Sequence, residues 1–228
     1  VDMGDLFTTY KASVYDKDND ELDWTHLNTI QWMGANEILV SSRETSTIVK
    51  IKDIDGTPEI DYMMGEKTFW EDSDYADLLL DKANSFTSQT GQHSITYVED
   101  DTLADGQYYL YMFNNNFGYS STNTAYDWSQ LNIPTEVKAE DAVSKYYKYL
   151  VDEKKGTYTL VDAFDVPYSP YVSSVQNIGT NTIVDSGMAF NFQEYDSEHT
   201  LIRSFTMKGE KYIYRVYKYT FDNFYFNQ

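Results

Sequence analysis

Apolar and polar residues alternate with period two along much of this chain, in short runs that end at Gly, Asn or Asp. Thr47, Val49 and Ile51 share one face of a predicted strand, because successive side chains of a strand point to opposite faces. The Asp55-Gly56 pair that follows is a strong hairpin-turn signal. Residues 107–113 are almost wholly aromatic and apolar, which is typical of a strand buried on both faces.

Runs of this kind, bounded by turn residues, predict most of the secondary structure. The predicted strands begin near Thr25 and continue over 38–42, 46–52, 59–63, 94–98, 107–113, 146–151, 157–163, 171–177, 182–186, 201–207 and 211–221. A helix over 140–150 is a competing interpretation, since Ala, Glu and Lys are good helix formers, but the Tyr-Tyr-x-Tyr run there favours a strand. The helical spacing of Tyr75, Leu78 and Leu79 predicts one short helix or helical loop within 70–84.

The order of strands repeats three times, with starts near Thr25, His93 and Val172 and a spacing of about 65–80 residues. Each repeat resembles a β-propeller blade, so we predict an all-β fold of blades with four antiparallel strands each. Three blades do not close a ring, which needs roughly 4–8, and we therefore expect a fragment of a longer chain. The predicted units are a lead-in over 1–22 and blades over 23–90, 91–170 and 171–228 of a single incomplete propeller.

Composition narrows the classes of partner. The chain of 228 residues has 22 Tyr, which favours strands, and a formal net charge of −20. So acidic a surface repels phosphate backbones and anionic lipid, and we expect neither nucleic acid nor a membrane as a partner. No apolar run approaches the ~20 residues of a membrane helix. The absence of cysteine excludes disulfides, thiol catalysis and cysteine–metal sites within this chain.

An acidic run over 16–23 invites a calcium interpretation. An EF-hand loop that starts at Asp16 requires Gly at its sixth position and Glu at its twelfth. Those positions hold Glu21 and Leu27. We therefore predict a solvated acidic turn.

Four side chains are candidates for chemistry. His26 and Asn28 leave the same face of an extended segment, and the hairpin after them brings the end of the next strand, with Arg43, close to both. His93 begins the first strand of the next repeat, and first strands line the central channel of a propeller, so both histidines are expected to face one channel. The alternatives are a hydrogen-bonded structural histidine and an arginine that pairs with a carboxylate.

Two further features are not expected to take part in chemistry. His199 lies in the polar segment EYDSEHT and is expected to be solvated. A metal site is not expected, because the two remaining histidines have no carboxylate at a ligand spacing.

The same residues carry a resemblance to a known family. The segment from Asp23 to Ile51 resembles the signature of the bacterial arylsulfate sulfotransferases that do not use the nucleotide sulfate donor. The matching residues are Asp23, Trp24, His26, Asn28, Thr29, Ile30, Ser41, Ser42 and Arg43, followed downstream by Leu79-Leu80, Gly91-Gln92-His93 and Tyr168-Ser169-Pro170-Tyr171-Val172-Ser173. The resemblance covers about residues 20–190, with the motifs in the same order as in the family. It is a resemblance to the C-terminal part of the family's chain.

The resemblance implies a six-bladed propeller with its active site in the central channel. The family moves a sulfuryl group from a phenolic sulfate ester to a phenol by a ping-pong route through a sulfohistidine. On this resemblance His93 is the nucleophile and Arg43 binds the sulfuryl oxygens. Asn28 donates to the same oxygens or to the phenolic oxygen, and His26 stabilises or protonates the departing phenolate and then takes the proton of the incoming phenol. It further implies no cofactor or metal, a secreted or cell-envelope protein, and the remaining blades as partners of this chain, which is expected to be inactive alone.

The chain departs from the family in two respects. A further active-site histidine of an earlier blade has no match here, and the disulfide of some members has no cysteines to form it. The aromatic residues that hold the acceptor ring are not identified, although Tyr97, Tyr119 and Tyr171 are candidates. The sequence leaves the oligomeric state, the donor and the acceptor open.

Two other functions remain open at this point. One is a non-catalytic extracellular β-propeller or β-sandwich module that binds glycans or proteins, for which the polar loop over 114–127 is suited. The other is a sulfatase-like hydrolase in which water replaces the phenol.

Overall fold

The computed structural model describes residues 1–14 and 23–220, and within them the chain is all-β with a few short helices. The helices are α1 (Met3–Leu6), α2 (Thr8–Val14) and α3 (Lys67–Trp70), with single 3₁₀ turns at Ala76–Leu78, Trp128–Leu131 and Gly187–Ala189. The strands are β1 (Leu27–Gly34), β2 (Glu37–Ser42), β3 (Thr47–Lys52), β4 (Glu59–Met64), β5 (Asp81–Lys82), β6 (His93–Val98), β7 (Gln107–Asn114), β8 (Val143–Asp152), β9 (Thr157–Pro167), β10 (Ser174–Ile178), β11 (Asn181–Ser186), β12 (Asn191–Tyr195) and β13 (Leu201–Thr206). The predicted all-β class is confirmed.

The strands form three sheets that follow one another along the chain. The first sheet has the order β1-β2-β3-β4 and the third β10-β11-β12-β13, and all their pairs are antiparallel. The middle sheet has the order β5-β9-β8-β7-β6. Its fifth strand, β5, was not predicted and lies parallel to β9 through a pair of residues. The antiparallel four-stranded pattern therefore holds in each repeat, with one edge addition.

The strand interpretation of 140–150 is the correct one. β8 spans Val143–Asp152 and pairs along its length with β7 and β9. Tyr146 and Tyr149 are buried there, and aromatic side chains pack well on the pleated surface of a central strand. Pairing on both sides outweighs the helix propensity of the Ala, Glu and Lys residues at the start of the segment.

Two expectations for the last third are wrong. Residues 191–195 form β12, which was not predicted and which pairs with both β11 and β13. The predicted strand over 211–221 has no backbone ladder in its described part, 211–220. Instead the backbone N–H groups of Val216 and Lys218 donate to the side chains of Ser174 (3.0 Å) and Gln176 (2.8 Å) on β10.

The same side-chain links join the first strands of consecutive sheets. Thr29 on β1 accepts a hydrogen bond from the backbone N–H of Ser94 on β6, at 3.1 Å. Ser94 in turn accepts one from the backbone N–H of Val175 on β10, at 3.4 Å. Hydroxyl groups thus satisfy backbone donors at edges where a continuous ladder is absent. These links set β1, β6, β10 and the 213–218 segment side by side.

The expectation of one short helix is also wrong. α3 and the 3₁₀ turn at Ala76–Leu78 do lie in or beside the predicted segment, but α1 and α2 add two helices at the start of the chain. Phe7 and Tyr10, from the N-terminal pair, pack against Trp70 with ring centroids 5.9 and 5.0 Å apart. This tertiary contact explains helices that periodicity alone did not reveal. The predicted acidic turn over 16–23 lies, apart from Asp23, outside the described residues.

The core lies between consecutive sheets. Leu39 and Ile48 of the first sheet form one buried cluster with Leu110 and Tyr149 of the middle sheet. A second cluster joins the middle sheet to Val184 and Tyr195 of the third. Fully burying a side chain of this size contributes about 1.5–3 kcal/mol, so each pair of sheets is held mainly by apolar contact.

An ionic cluster reinforces the contact between the first and middle sheets. Lys50 is buried and its Nζ lies 2.7 Å from Glu153, 2.9 Å from Glu37 and 3.3 Å from Asp61. Burial by itself lowers the pKa of Lys50, but hydrogen bonds to Glu153 and Glu37 outweigh it and raise the pKa above its ordinary value. Because Lys50 is a buried charge, removing any one of these carboxylate partners is expected to destabilise the fold.

One buried carboxyl group in the third sheet provides a test of how that sheet is packed. Asp185 on β11 is fully buried, and neither of its oxygens has a hydrogen-bond partner among the described residues. Burial raises its pKa to about 7. Because this pKa lies above the unfolded value of about 3.9, the group destabilises the fold increasingly as the pH rises from about 4 to about 7.

We therefore expect Asp185→Asn to stabilise the chain at pH 8 by about 2–4 kcal/mol, with little difference at pH 4. Urea unfolding of both proteins at the two pH values measures this. The exposed Asp101 provides a matched control, since Asp101→Asn removes the same charge without burial. A stability gain that is equal at pH 4 and pH 8 would contradict the assignment.

Candidate active site

A buried polar segment connects the first sheet to the middle sheet and leads to the candidate site. Residues 88–93 are buried although most are polar. The side chain of Gln89 donates to the carbonyl of Met64 at 2.9 Å, and the backbone N–H of Thr90 donates to Asn114 at 2.9 Å. Buried polar groups need such partners, so contacts to both sheets hold the segment in one position.

Gly91 in this segment has a backbone conformation that other residues rarely adopt. Its φ is +60°, and a Cβ atom there would lie 3.1 Å from the carbonyl oxygen of Phe117. The turn therefore requires glycine. It directs the Gly91 carbonyl to the ring of His93, with 2.9 Å between the oxygen and Nδ1.

The hydrogen bonds of His93 determine which ring nitrogen carries the proton. Nδ1 lies 2.8 Å from Oδ1 of Asn115 as well as close to the Gly91 carbonyl. The amide nitrogen of Asn115 donates to the carbonyls of Ser169 (2.6 Å) and Val172 (3.0 Å), which sets its orientation. Both partners of Nδ1 are therefore acceptors, so Nδ1 carries the hydrogen and Nε2 keeps a free lone pair.

Burial keeps this imidazole neutral. His93 is 3% exposed. Burial lowers its pKa to about 4, an effect that the hydrogen bonds to Asn115 and Gly91 oppose and that the positive charge of Arg43 and the presence of His26 add to. At pH 7 the ring is uncharged, which is the form in which an imidazole nitrogen acts as a nucleophile.

Arg43 lies directly after β2 and is held by its neighbour. Glu44 is almost fully buried, pairs with the Arg43 guanidinium, and accepts the backbone N–H of Ser121 at 2.7 Å. The Nε of Arg43 is buried and has no hydrogen-bond partner among the described residues. An unpaired buried donor is costly, and on a guanidinium beside a neutral imidazole it suits an oxygen of an anionic ligand.

His26 adjoins the same place. The backbone N–H of Arg43 donates to the His26 carbonyl at 3.3 Å. His26 has a φ of +46° and its side chain is partly exposed. Its Nδ1 pairs with a carboxylate oxygen of Asp23, whose other oxygen accepts the His26 backbone N–H at 2.9 Å. This orientation leaves Nε2 of His26 as the nitrogen available for proton exchange.

Asn28 completes the group. Its side-chain nitrogen donates to the carbonyl of Gln92 at 2.7 Å, in the peptide that precedes His93. The structure therefore brings all four predicted residues, His93, His26, Arg43 and Asn28, to one place. It also shows that Arg43 pairs with a carboxylate, the alternative that the sequence left open.

Sequence patterns did not identify Asn115 or Glu44. Asn115 is the middle of three asparagines at the end of β7, and the composition assigned it to the start of a polar loop. The sequence feature that could have identified Asn115 is a triplet of polar residues directly at the end of a buried aromatic strand. The importance of Glu44 is visible only from its burial.

The three tyrosine candidates divide between two regions. The ring of Tyr171 lies 5.5 Å from the guanidinium carbon of Arg43. Phe117 joins it to Tyr119, with ring centroids 5.1 and 5.9 Å from the two tyrosines. Tyr97 instead packs 5.1 Å from the ring of Tyr108, between the first and middle sheets, and is not part of the site.

His199 is not simply solvated, contrary to expectation. It is partly buried, stacks on Phe164 with ring centroids 4.5 Å apart, and lies 3.2 Å from Asp162. These contacts attach the loop after β12 to β9 and do not reach the candidate site.

The described residues, 1–14 and 23–220, contain neither a metal-ligand cluster nor a membrane-spanning helix. No group of three or more His, Cys, Asp or Glu side chains is arranged there to hold a metal ion. No helix in that part of the chain has the length and apolar character needed to span a membrane.

The tautomer of His93 can be measured directly. With ¹⁵N-labelled histidine, we expect NMR to show the proton on Nδ1 of His93 at pH 7 and a titration near pH 4, because the ring is buried. Asn115→Ala removes one of the two acceptors, so we expect a mixture of tautomers. The neighbouring Asn116→Ala, which removes an amide bonded to Val143 and not to His93, serves as the control. A proton on Nε2 in the wild type would contradict the arrangement.

The chain resembles both solved structures and a protein family. It matches solved structures at low similarity: a putative 6-phosphogluconolactonase from Bacteroides fragilis (13% identity, 84% of this chain, 40% of that chain, TM-score 0.42), a functionally unknown protein from Desulfotomaculum acetoxidans (10%, 81%, 43%, 0.39) and apo AztD from Citrobacter koseri (10%, 82%, 48%, 0.30). The chain thus spans less than half of each of these proteins, and likenesses this low assign no function. No curated protein matches it.

The family comparison is specific. The model of the family described as arylsulfotransferase (ASST) matches residues 1–222, which is nearly the whole chain and includes every candidate site residue. With His93, His26, Arg43 and Asn28 gathered at one place, this match establishes the family: the chain belongs to the arylsulfotransferase (ASST) family.

Proposed function

We propose that this chain carries the nucleophile and the sulfuryl-binding groups of an aryl-sulfate sulfotransferase. The observation that carries the proposal is the hydrogen bonding of His93, which leaves Nε2 with a free lone pair on a buried neutral ring beside Arg43. Family membership supports a transferase and does not favour the non-catalytic binding module. The substrate classes that follow are an aryl sulfate as donor and a phenol as acceptor.

In the first half-reaction Nε2 of His93 attacks the sulfur of the phenolic sulfate ester. A nitrogen–sulfur bond forms, the bond from sulfur to the phenolic oxygen breaks, and its electron pair leaves on that oxygen. Protonated His26 gives its Nε2 proton to the departing oxygen, which yields the free phenol. The Nδ1 hydrogen of His93 stays with Asn115 and Gly91, and the product is a sulfohistidine.

The second half-reaction reverses these roles. The acceptor phenol loses its proton to neutral His26, and its oxygen attacks the sulfur of the sulfohistidine. The nitrogen–sulfur bond breaks and its electron pair returns to Nε2 of His93. The net change is exchange of one aryl group for another, with no cofactor or metal required.

Arg43 and Asn28 are proposed to stabilise the charge on the sulfuryl oxygens. The unpaired Nε of Arg43 is a donor for one oxygen, and Glu44 keeps the guanidinium in place. The amide of Asn28 is a donor for a sulfuryl or phenolic oxygen once it leaves the Gln92 carbonyl. Removing one donor of this kind typically costs 10²–10³-fold in rate.

The proposal extends to the whole protein. The three sheets would be blades of a six-bladed propeller, with the remaining blades in the rest of the protein and supplying a further channel histidine. In this proposal the blades are the units over 23–90, 91–170 and 171–228, and the lead-in over 1–22 comes from the preceding blade. The protein is proposed to be secreted or located in the cell envelope. The chain alone is then inactive, since part of the channel wall is missing.

The function is tested in the full-length protein with a chromogenic phenyl sulfate and a phenol acceptor. We expect acceptor-dependent release of the chromogenic phenol, its loss in His93→Ala, and a sulfuryl adduct on the peptide that contains His93, because that ring is the proposed nucleophile. His199→Ala, a histidine remote from the site, should retain activity. Undiminished transfer in His93→Ala would exclude this role for His93. Release that continues over many turnovers without the acceptor, beyond one equivalent per protein, would indicate a hydrolase.

The pH dependence of the first half-reaction gives a second test. Because burial lowers the pKa of His93 to about 4, the nucleophile stays neutral down to about pH 5. In a single turnover without acceptor, the rate of phenol release should fall on the acid side with a midpoint near pH 4. A midpoint near 6.5, the ordinary value for histidine, would show that the nucleophile is not the buried ring.

A further inference from the structure

A cavity of about 530 Å³ lies among the first strands of the three sheets. Its wall includes apolar side chains such as Leu27, Ile95 and Val175, and the 213–218 segment contributes Arg215 and Tyr217. The volume lies within the range of small-molecule sites, which combine apolar walls with a few polar groups. Asn28, one of the four site residues, also lines it. The cavity therefore adjoins the candidate active site.

Arg215 occupies an unexpected place in this wall. Ser174 on β10 binds the backbone N–H of Val216 with its hydroxyl, as Ser94 on β6 binds that of Val175. Arg215 stands immediately before Val216 in the chain, and Ser174 stands immediately before Val175. Arg215 therefore takes the position in the 213–218 segment that Ser174 takes in β10, with a long cationic side chain in place of a small hydroxyl group. Its guanidinium reaches across to β1 and donates to the backbone carbonyl of Asn28 at 3.0 Å.

Arg215 also lacks the partner that the other arginines have. The chain contains three arginines and 37 Asp and Glu residues. Arg43 pairs with Glu44, and Arg203 pairs with Glu194 at 3.2 Å. Within residues 1–14 and 23–220, no carboxylate lies at ion-pair distance from Arg215. Its bond to Asn28 uses one of the five donors of a guanidinium, which leaves a planar fork suited to a carboxylate.

The ring of Tyr214 contacts both Arg215 and His93. The guanidinium carbon of Arg215 lies 5.3 Å from the centre of the Tyr214 ring, and the ring of His93 lies 6.1 Å from that of Tyr214. Tyr214 therefore connects the cavity wall at Arg215 with the candidate active site at His93.

We propose that the cavity binds the ring of an aromatic acid and that Arg215 pairs with its carboxylate, which makes Arg215 a specificity-determining residue for hydroxybenzoate-type acceptors. The net charge of −20 repels anions from the surface at large, and an unpaired arginine in the cavity offsets this locally. The identity of the ligand as a phenolic acceptor rests on the proposed transferase function. Binding of the carboxylate does not.

Calorimetric titration of the full-length protein with 4-hydroxybenzoate and with its neutral methyl ester tests this. We expect the wild type to bind the acid about 2–5-fold more tightly than the ester, the range for an ion pair with an exposed guanidinium such as that of Arg215. Arg215→Gln should abolish this preference and leave ester binding unchanged. Lys211→Gln removes an exposed cation of the same segment and should keep the preference.

Equal affinity of the wild type for acid and ester would overturn the proposal, as would equal loss of both ligands in Arg215→Gln. If Arg215→Gln fails to fold, Arg215→Lys takes its place. It should keep a reduced preference for the acid, and an unreduced preference would show that the guanidinium is not the partner. If His93 proves to transfer no sulfuryl group, the transferase proposal fails while the acid-to-ester ratio still decides the role of Arg215.

Discussion

The amide group of Asn115 is the contact on which the candidate site depends. Its nitrogen is held by the carbonyls of Ser169 and Val172, so its oxygen has to face His93. A single side chain thereby links the end of β7, the start of the third sheet and the ring at the start of β6. Were the amide reversed, it would favour a proton on Nε2 of His93, and Nε2 would no longer have a free lone pair.

The surrounding architecture makes this arrangement rigid without a continuous sheet. The buried segment 88–93 takes its hydrogen bonds from both neighbouring sheets, which places His93 deep in the protein while its polar neighbours remain satisfied. The first strands meet through hydroxyl and amide side chains instead of backbone ladders. Strands joined in this way leave a cavity between them, and side chains from different sheets reach it.

Positive charge lies close to the candidate site although the chain as a whole is strongly acidic. This strongly acidic chain has Arg43 near the neutral His93 and Arg215 in the wall of the adjoining cavity. Glu44 holds one of them by a buried ion pair, and the other bonds only to a backbone carbonyl and an aromatic ring among the described residues. The positive charge of Arg43 lowers the pKa of His93 further and attracts anionic oxygens, so the same group favours the neutral imidazole and an anionic ligand beside it.

Alternation and turn residues were enough to predict the strands of the first two sheets except β5, and to select His26, Asn28, Arg43 and His93 as candidates, because period and turn chemistry are local properties. They were insufficient for residues 211–220, whose alternation resembles a strand but whose backbone donors bind the side chains of β10. The tautomer and low pKa of His93 depend on burial and on an amide 22 residues away. The place of Arg215 depends on a carbonyl 187 residues away. Such long-range contacts exist only in the folded chain, and they turn a set of suitable residues into a site.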